Sequence, residues 1–231
     1  MVAHRYLPHL GGVERHVESL SLELTRRGHE VSILTEHYDL SLRSQENVNG
    51  VTVHRYKAAR GALRNLSLAP FVYLDRSKKY RRLFAEADVV HCHDWLPFLK
   101  FLMPFRMMNP GKSFFITFHG WSGRFPPSRS EVFVHRMCVG LTRGNICVGA
   151  FIAKWYRFAP GMVIYGAADP EREIRDRVPP SDLLYVGRLE PDTGVREVVR
   201  AWELLQREST TPLRAVIYGD GSLRDEIEAA V

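Results

Sequence analysis

Residues 87–95 read Ala87-Asp88-Val89-Val90-His91-Cys92-His93-Asp94-Trp95. Residues 87–91 form the short, β-branched apolar run of a strand buried on both faces of a parallel sheet. The run ends in histidines and an aspartate, where a loop begins. The same design recurs on both sides. Ser113-Phe114-Phe115-Ile116-Thr117-Phe118 reads as a strand that stops at His119-Gly120. Upstream, a strand over 2–6 leads through Pro8 and Gly11-Gly12 into a helix. Val13, Val17, Leu20 and Leu24 mark that helix at its own spacing, and Arg26-Arg27-Gly28 closes it.

The rest of the chain keeps the alternation. Strands are expected over 30–35 and 51–56, and a basic helix over 70–85. Helices follow near 96–106, 130–141 and 152–157, with strands at 145–148 and 162–165. Charged residues 172–178 and Pro179-Pro180 then read as a break. The pattern restarts with a strand over 183–186, a helix over 194–207, a strand over 214–218 and a helix from Ser222. The expected division is 1–170, a linker over 171–181, and 182–231. Alternating strands and helices give an α/β fold with a parallel sheet covered on both faces. Such sheets bind ligands at the carboxyl ends of strands, in loops that open helices.

Composition narrows the classes. The chain has 231 residues, 45% of them hydrophobic, which is too apolar for wholesale disorder. No apolar run is long enough for a membrane span, and no basic-then-apolar leader opens the sequence. Three separated cysteines, Cys92, Cys138 and Cys147, make neither a disulfide framework nor a CxxC metal site. A reducing cytoplasm is the expected location. The net charge of +6 favours anionic partners such as nucleotides, phosphates or lipid headgroups.

Five strand-end loops carry candidate chemistry. Pro8-His9-Leu10-Gly11-Gly12-Val13-Glu14 brings glycine backbone and helix amides to one place, as either an anion cradle or a tight turn. His91 and His93 share a strand face, but no third metal ligand lies near them in sequence, so no metal is expected. His119 sits at a strand's carboxyl edge, where a neutral imidazole can hydrogen-bond a sugar hydroxyl or act as a base. Gly187-Arg188-Leu189, with Thr193-Gly194 after it, offers free backbone, a forked cation and a helix start. Ile217-Tyr218-Gly219-Asp220-Gly221 repeats that logic, either as a second wall or as a simple turn.

In this order, the segments resemble a family 4 glycosyltransferase of the GT-B type. The resemblance rests on Pro8…Gly11-Gly12-Val13-Glu14, Asp88-Val89-Val90-His91…His93-Asp94, Thr117-Phe118-His119-Gly120, Gly187-Arg188-Leu189…Gly194 and Gly219-Asp220-Gly221…Arg224. Val163-Ile164-Tyr165-Gly166…Asp169 is similar to the segment that joins that family's two domains. The resemblance implies two Rossmann-like domains facing a cleft, with the second only partial here. It implies retaining transfer of a sugar from a nucleotide-diphosphate sugar to a lipid-linked or polysaccharide acceptor, without cofactor or bound metal. His119 would be the catalytic contact. Gly11, Gly12, Gly187, Arg188, Thr193 and Gly219 would bind the donor.

Two departures stand out. Thr193 occupies a position where the family usually has lysine, and its Glu-x7-Glu element has no counterpart. The chain is therefore expected to stop inside its second domain, and a non-catalytic binding module is the alternative function. On the acceptor side, Arg76, Lys78 and Lys79 lie in a basic, aromatic stretch. That stretch suits an anionic membrane surface or lipid phosphate, and equally a solvated helix face. An NAD-type oxidoreductase lacks its GxGxxG fingerprint here, and no nucleic-acid motif accompanies the basic residues.

Overall fold

The computed structural model describes residues 1–9, 11–56, 78–120, 126–166, 182–191 and 193–230. The chain divides into two compact units, Met1–Ala168 and Asp169–Val231. The expected linker over 171–181 lies outside the described residues.

The first unit is built around Val2, which forms parallel bridges to both Leu34 and Cys92. Its N–H donates to the His91 carbonyl at 2.8 Å, and its carbonyl accepts from the His93 N–H at 2.8 Å. The expected strand over 2–6 thus shrinks to a bridge. The chain turns away before Pro8, which has no N–H to give a ladder. That bridge nevertheless joins two sets of strands. On one side β1 (Ser32–Glu36) pairs in parallel with β3 (Val51–Tyr56), and β2 (Gln45–Val48) adds antiparallel at the edge. On the other, β4 (Val89–His93), β5 (Ser113–Phe118), β6 (Gly144–Cys147) and β7 (Met162–Val163) follow in parallel order.

Strand alternation sorts the side chains between two cores. Val90 and Cys92 of β4 join Phe114, Ile116 and Phe118 of β5 in the larger core. Helix α4 (Arg129–Leu141) and helix α5 (Ala150–Tyr156) contribute Cys138, Ile152 and Tyr156 to it. His91, His93 and Thr117 point to the opposite face. That face is covered by α1 (Gly12–Arg26), whose Val17 packs with Ala3, Ile33, Val51 and Val53. Of the remaining helices, α2 (Lys78–Glu86) precedes β4. The segment after β4 is helical but broken: Trp95–Pro97, a π-helical turn Phe98–Leu102, then α3 (Met103–Met108). Pro104 has no N–H for the preceding turn, and the hydrogen-bond ladder shifts register there.

In the second unit, β8 (Leu183–Val186) and β9 (Ala215–Tyr218) pair in parallel. Helices α6 (Val195–Glu208) and α7 (Arg224–Ala230) close a small core of Leu189, Val195, Val199, Leu223 and Ile227. Among the described residues, no helix is long and apolar enough to cross a membrane.

Candidate active site

Helix α1 opens without a side-chain cap. Gly11 stands before it in extended backbone, and Gly12 is its first residue. The first-turn amides therefore have no partner within the helix. The two glycines differ. A Cβ on Gly11 would collide with the Glu14 carboxylate, whereas a Cβ on Gly12 would meet nothing within 4 Å. Glu14 is buried and pairs with His9 Nδ1 at 3.2 Å. One turn after Gly12, on the same helix face, comes His16.

His16 meets the ends of β4 and β5. Its ring lies 4.7 Å from that of His119 and 5.7 Å from that of His93, edge-on to both. His93 Nδ1 and His119 Nε2 are 2.9 Å apart, within hydrogen-bond reach. His93 Nε2 is buried without a partner. Burial pushes the His93 imidazole well below its usual range, and His91, His119 and His16 add to this. His119 falls to about 3, again from burial first, with His16 and His91 contributing. Both rings are neutral, so each carries one N–H. A buried lone pair without a partner costs less than a buried N–H without one. The His93 proton therefore sits on Nδ1 and is given to His119 Nε2. His119 keeps its own proton on Nδ1, which leaves one N–H donor for a ligand.

Asp94 fixes this arrangement. Its Oδ1 accepts the His119 backbone N–H at 2.9 Å, and its own N–H donates to the Thr117 carbonyl at 2.8 Å. Its backbone, φ 69° and ψ 163°, lies in a region that is essentially glycine's, a strain of about 1–3 kcal/mol. Burial raises its carboxyl to about 6, against the His119 hydrogen bond, and Glu14 raises it further. His91 Nε2 lies 2.8 Å from Thr117 Oγ1, on the same face.

The sequence singled out His119, the glycine loop and the His91–His93 pair, and held Asp94 only as part of a family-like motif, but did not single out His16. The Gly12–His16 interval of one helical turn was the available signal. The missing third neighbour of His93 is supplied by the fold, from residues 16 and 119.

In the second unit the glycines pack backbone against backbone. A Cβ on Gly219 would collide with the Gly187 carbonyl, and one on Gly221 with that of Leu189. The Gly187 N–H donates to the Tyr218 carbonyl at 3.0 Å, and the Leu189 N–H to that of Asp220 at 2.9 Å. Glu190 adds bonds to the Ser222 N–H at 3.0 Å and hydroxyl at 2.6 Å. Thr193 was expected to offer its hydroxyl to a phosphate. Its Oγ1 lies 2.8 Å from both the Arg188 and Glu190 carbonyls, so its one proton clasps the loop. Gly194 then starts α6 at φ 74°, a conformation that suits glycine. Arg188 sits between these anchors on the loop.

On the acceptor side, Arg76 lies outside the described residues, and Lys78 begins α2. Lys79 Nζ donates to Gln45 Oε1 at 2.8 Å, and Arg82 pairs with Glu86 at 2.6 Å. These contacts belong to a solvated helix face.

Comparison with known proteins adds independent findings. The model of Glycosyltransferase Family 4 matches residues 10–172, well over half of the chain. An uncharacterized glycosyltransferase of Methanocaldococcus jannaschii is 28% identical, over 99% of this chain and 64% of that protein. A glycogen synthase of Mycobacterium tuberculosis is 28% identical, over 97% of this chain and 62% of its own length. The chain thus spans a little under two thirds of these relatives. The catalytic domain of Arabidopsis thaliana starch synthase IV, solved bound to ADP and acarbose, superposes with a TM-score of 0.59 at 13% identity. It covers 99% of this chain and 69% of that one. Sucrose-phosphate synthase of Thermosynechococcus elongatus gives a TM-score of 0.61 at 16% identity, over 95% and 70%. These likenesses bear out the GT-B α/β architecture expected from the sequence.

Proposed function

The chain belongs to glycosyltransferase family 4, and from that premise we propose that it moves a sugar from a nucleotide-diphosphate sugar to a glycan hydroxyl. The observation that carries this reading is the neutral His119, anchored by Asp94 and His93 beside the uncapped amides of α1. Its Nδ1–H gives a fixed donor to a hydroxyl of the transferred sugar. Gly12, with open space at its Cα, lets a phosphate or sugar approach the helix amides.

In the second unit, Arg188 supplies the cation for the diphosphate, and the Gly187 backbone lies next to it. The roles of Gly219 and Thr193 are to hold that loop in shape. In the transfer, the bond from the anomeric carbon to the diphosphate oxygen breaks. A bond to the acceptor oxygen forms on the same face, and the acceptor proton leaves with the departing phosphate. The uncapped amides of α1 stabilise the charge that develops, so this reading uses no cofactor or metal. We place the reaction in the reducing cytoplasm, where buried Cys92, Cys138 and Cys147 stay as thiols. The ADP and acarbose bound by the starch synthase, and the glycogen synthase relative, support a polysaccharide acceptor over a lipid-linked one. The ionic contacts of α2 lend less support to an anionic membrane.

The test is calorimetry with ADP, UDP and GDP, followed by transfer from the matching sugar nucleotides to malto-oligosaccharides. Arg188→Ala should weaken nucleotide binding about 10–100-fold, the loss of one charged hydrogen bond. His119→Ala should cut transfer by about 100-fold or more. Wild-type behaviour in both variants, or no binding of any nucleotide, would refute the reading. An inverted product anomer would refute retention alone. Thr193, where a cation is replaced by a loop clasp, favours one second reading: a module that binds the nucleotide without turnover.

A further inference from the structure

We propose that Arg5 is the oxyanion contact of an acceptor site, where it receives a phosphate or carboxylate carried by the acceptor sugar. This rests on the transferase reading and names the acceptor's chemistry. Arg5 lies just before the glycine loop. Its Nη1 is 2.9 Å from His9 Nε2, and its guanidinium stands over the Tyr38 ring, 5.8 Å from the ring centre. The His9 ring meets Tyr38 edge-on at 5.7 Å. Arginine carries only donors, so His9 Nε2 accepts, and the His9 proton sits on Nδ1. That nitrogen lies 3.2 Å from Glu14 Oε1, in the first turn of α1. Residues 5, 9 and 14 thus bracket the glycine loop and hold the arginine fork beside it.

The clasp leaves the other edge of the fork open. Arg5 is exposed, and among the described residues neither a carboxylate nor any other acceptor meets its Nε–Nη2 edge. That edge is the one that grips an oxyanion with two parallel bonds. Arg196 uses it on Glu226, at 2.6 and 2.7 Å. Two uncharged rings hold the Arg5 fork in place, which lowers the ordering cost of binding an oxyanion. The sheet indicates whose oxyanion this is. Val2 bridges Leu34 of β1 and Cys92 of β4, so the segment running to Arg5 lies between those strands. His119, the contact for the transferred sugar, follows β5 on one side of it. Tyr38 follows β1 on the other. With the diphosphate given to Arg188, the β1 side is left for the acceptor.

The test is calorimetry on the purified 231-residue chain, with glucose, glucose 6-phosphate, glucuronate and inorganic phosphate as probes, each alone and with ADP in excess. At least one charged sugar should bind about 10-fold or more tighter than glucose, and tighter than inorganic phosphate, whether or not ADP is present. Arg5→Ala should weaken that binding by about 10–100-fold, to the level of glucose. Arg5→Lys keeps the charge without the fork and should recover only part of it. His9→Ala frees the fork and should weaken binding several-fold. Arg82→Ala removes the same charge from the solvated face of α2 and should bind like wild type. Circular dichroism confirms that each variant is folded. Equal affinity for glucose and both charged sugars, equal affinity for inorganic phosphate, or wild-type affinity in Arg5→Ala would overturn the proposal. So would displacement of the charged sugar by ADP together with weaker ADP binding in Arg5→Ala, which would give Arg5 to the donor diphosphate. Failure of every nucleotide to bind counts against the transferase reading alone, because the sugar titrations are read without nucleotide.

Discussion

Replacing Gly219 by alanine should unlock the second unit, while the same change at Gly12 should leave the first unit intact. The two glycines read alike in sequence, each in a loop between a strand and a helix. At Gly219 the new Cβ would collide with the Gly187 carbonyl. Carbon and carbonyl oxygen need about 3.3 Å at closest, so the two loops must part. Parting them stretches the Gly187–Tyr218 bond of 3.0 Å and the Leu189–Asp220 bond of 2.9 Å. Overpacking costs about 1–3 kcal/mol, and two backbone bonds add about 1 kcal/mol each. The sum is about 3–5 kcal/mol, a large share of what a unit of this size holds. The assay is amide hydrogen exchange by mass spectrometry on peptides covering β8 and β9. Protection there should fall by more than about 100-fold, at 1.4 kcal/mol per decade, with β4 and β5 unchanged. At Gly12 the Cβ meets nothing within 4 Å, and alanine is the better helix former. Exchange in α1 should stay the same or slow slightly, while nucleotide-sugar binding falls. Wild-type protection of β8 and β9 in Gly219→Ala would refute the argument that this glycine exists for backbone packing.

Two further predictions rest on buried and capping groups. The Arg55 side chain is fully buried and holds Glu46 at 2.5 Å, the Arg43 carbonyl at 2.9 Å and the Leu7 carbonyl at 2.8 Å. Arg55→Met should cost about 2–4 kcal/mol, toward the low side of a broken buried pair because Glu46 can hydrate. Urea unfolding with an unchanged slope checks it, and a loss under about 1 kcal/mol contradicts it. Ser128 and Glu131 form a reciprocal capping box on α4, so Ser128→Ala should cost about 1 kcal/mol. Hydrogen bonds from the Ser128 side chain and backbone hold the Glu131 carboxyl below its ordinary value of 4.5. This support is present above the unfolded value and is lost as pH falls through the lower folded one. The difference between wild type and Ser128→Ala should therefore shrink on acidification, and a difference that grew in acid would reverse the sign.

Much of the architecture is legible because periodicity reports burial. The strands over 51–56, 113–118 and 183–186 match the observed bounds, since apolar runs between turn residues have few other uses. The edge strand β2 escapes that logic. Gln45-Glu46-Asn47-Val48 is polar, as an exposed edge should be. Its signal was the turn: Asn49 at φ 52° and Gly50 at φ 85° make an Asn-Gly hairpin into β3. The site was half legible for a related reason. A strand-end His-Gly marks one catalytic candidate by local position alone. His16 and His93 gain meaning only when α1 crosses the carboxyl ends of β4 and β5, and residues 16, 93 and 119 are too far apart in sequence for spacing to join them. Thr193 and Gly219 each carry a structural role that residue type alone does not reveal. Their residue types suggested ligand contact, yet the Thr193 hydroxyl bonds its own loop, and Gly219 is small so that two strand ends can touch. Small or hydroxylated residues at strand ends serve either purpose. What separates the two is whether the space beside them holds protein, as at Gly219, or nothing, as at Gly12.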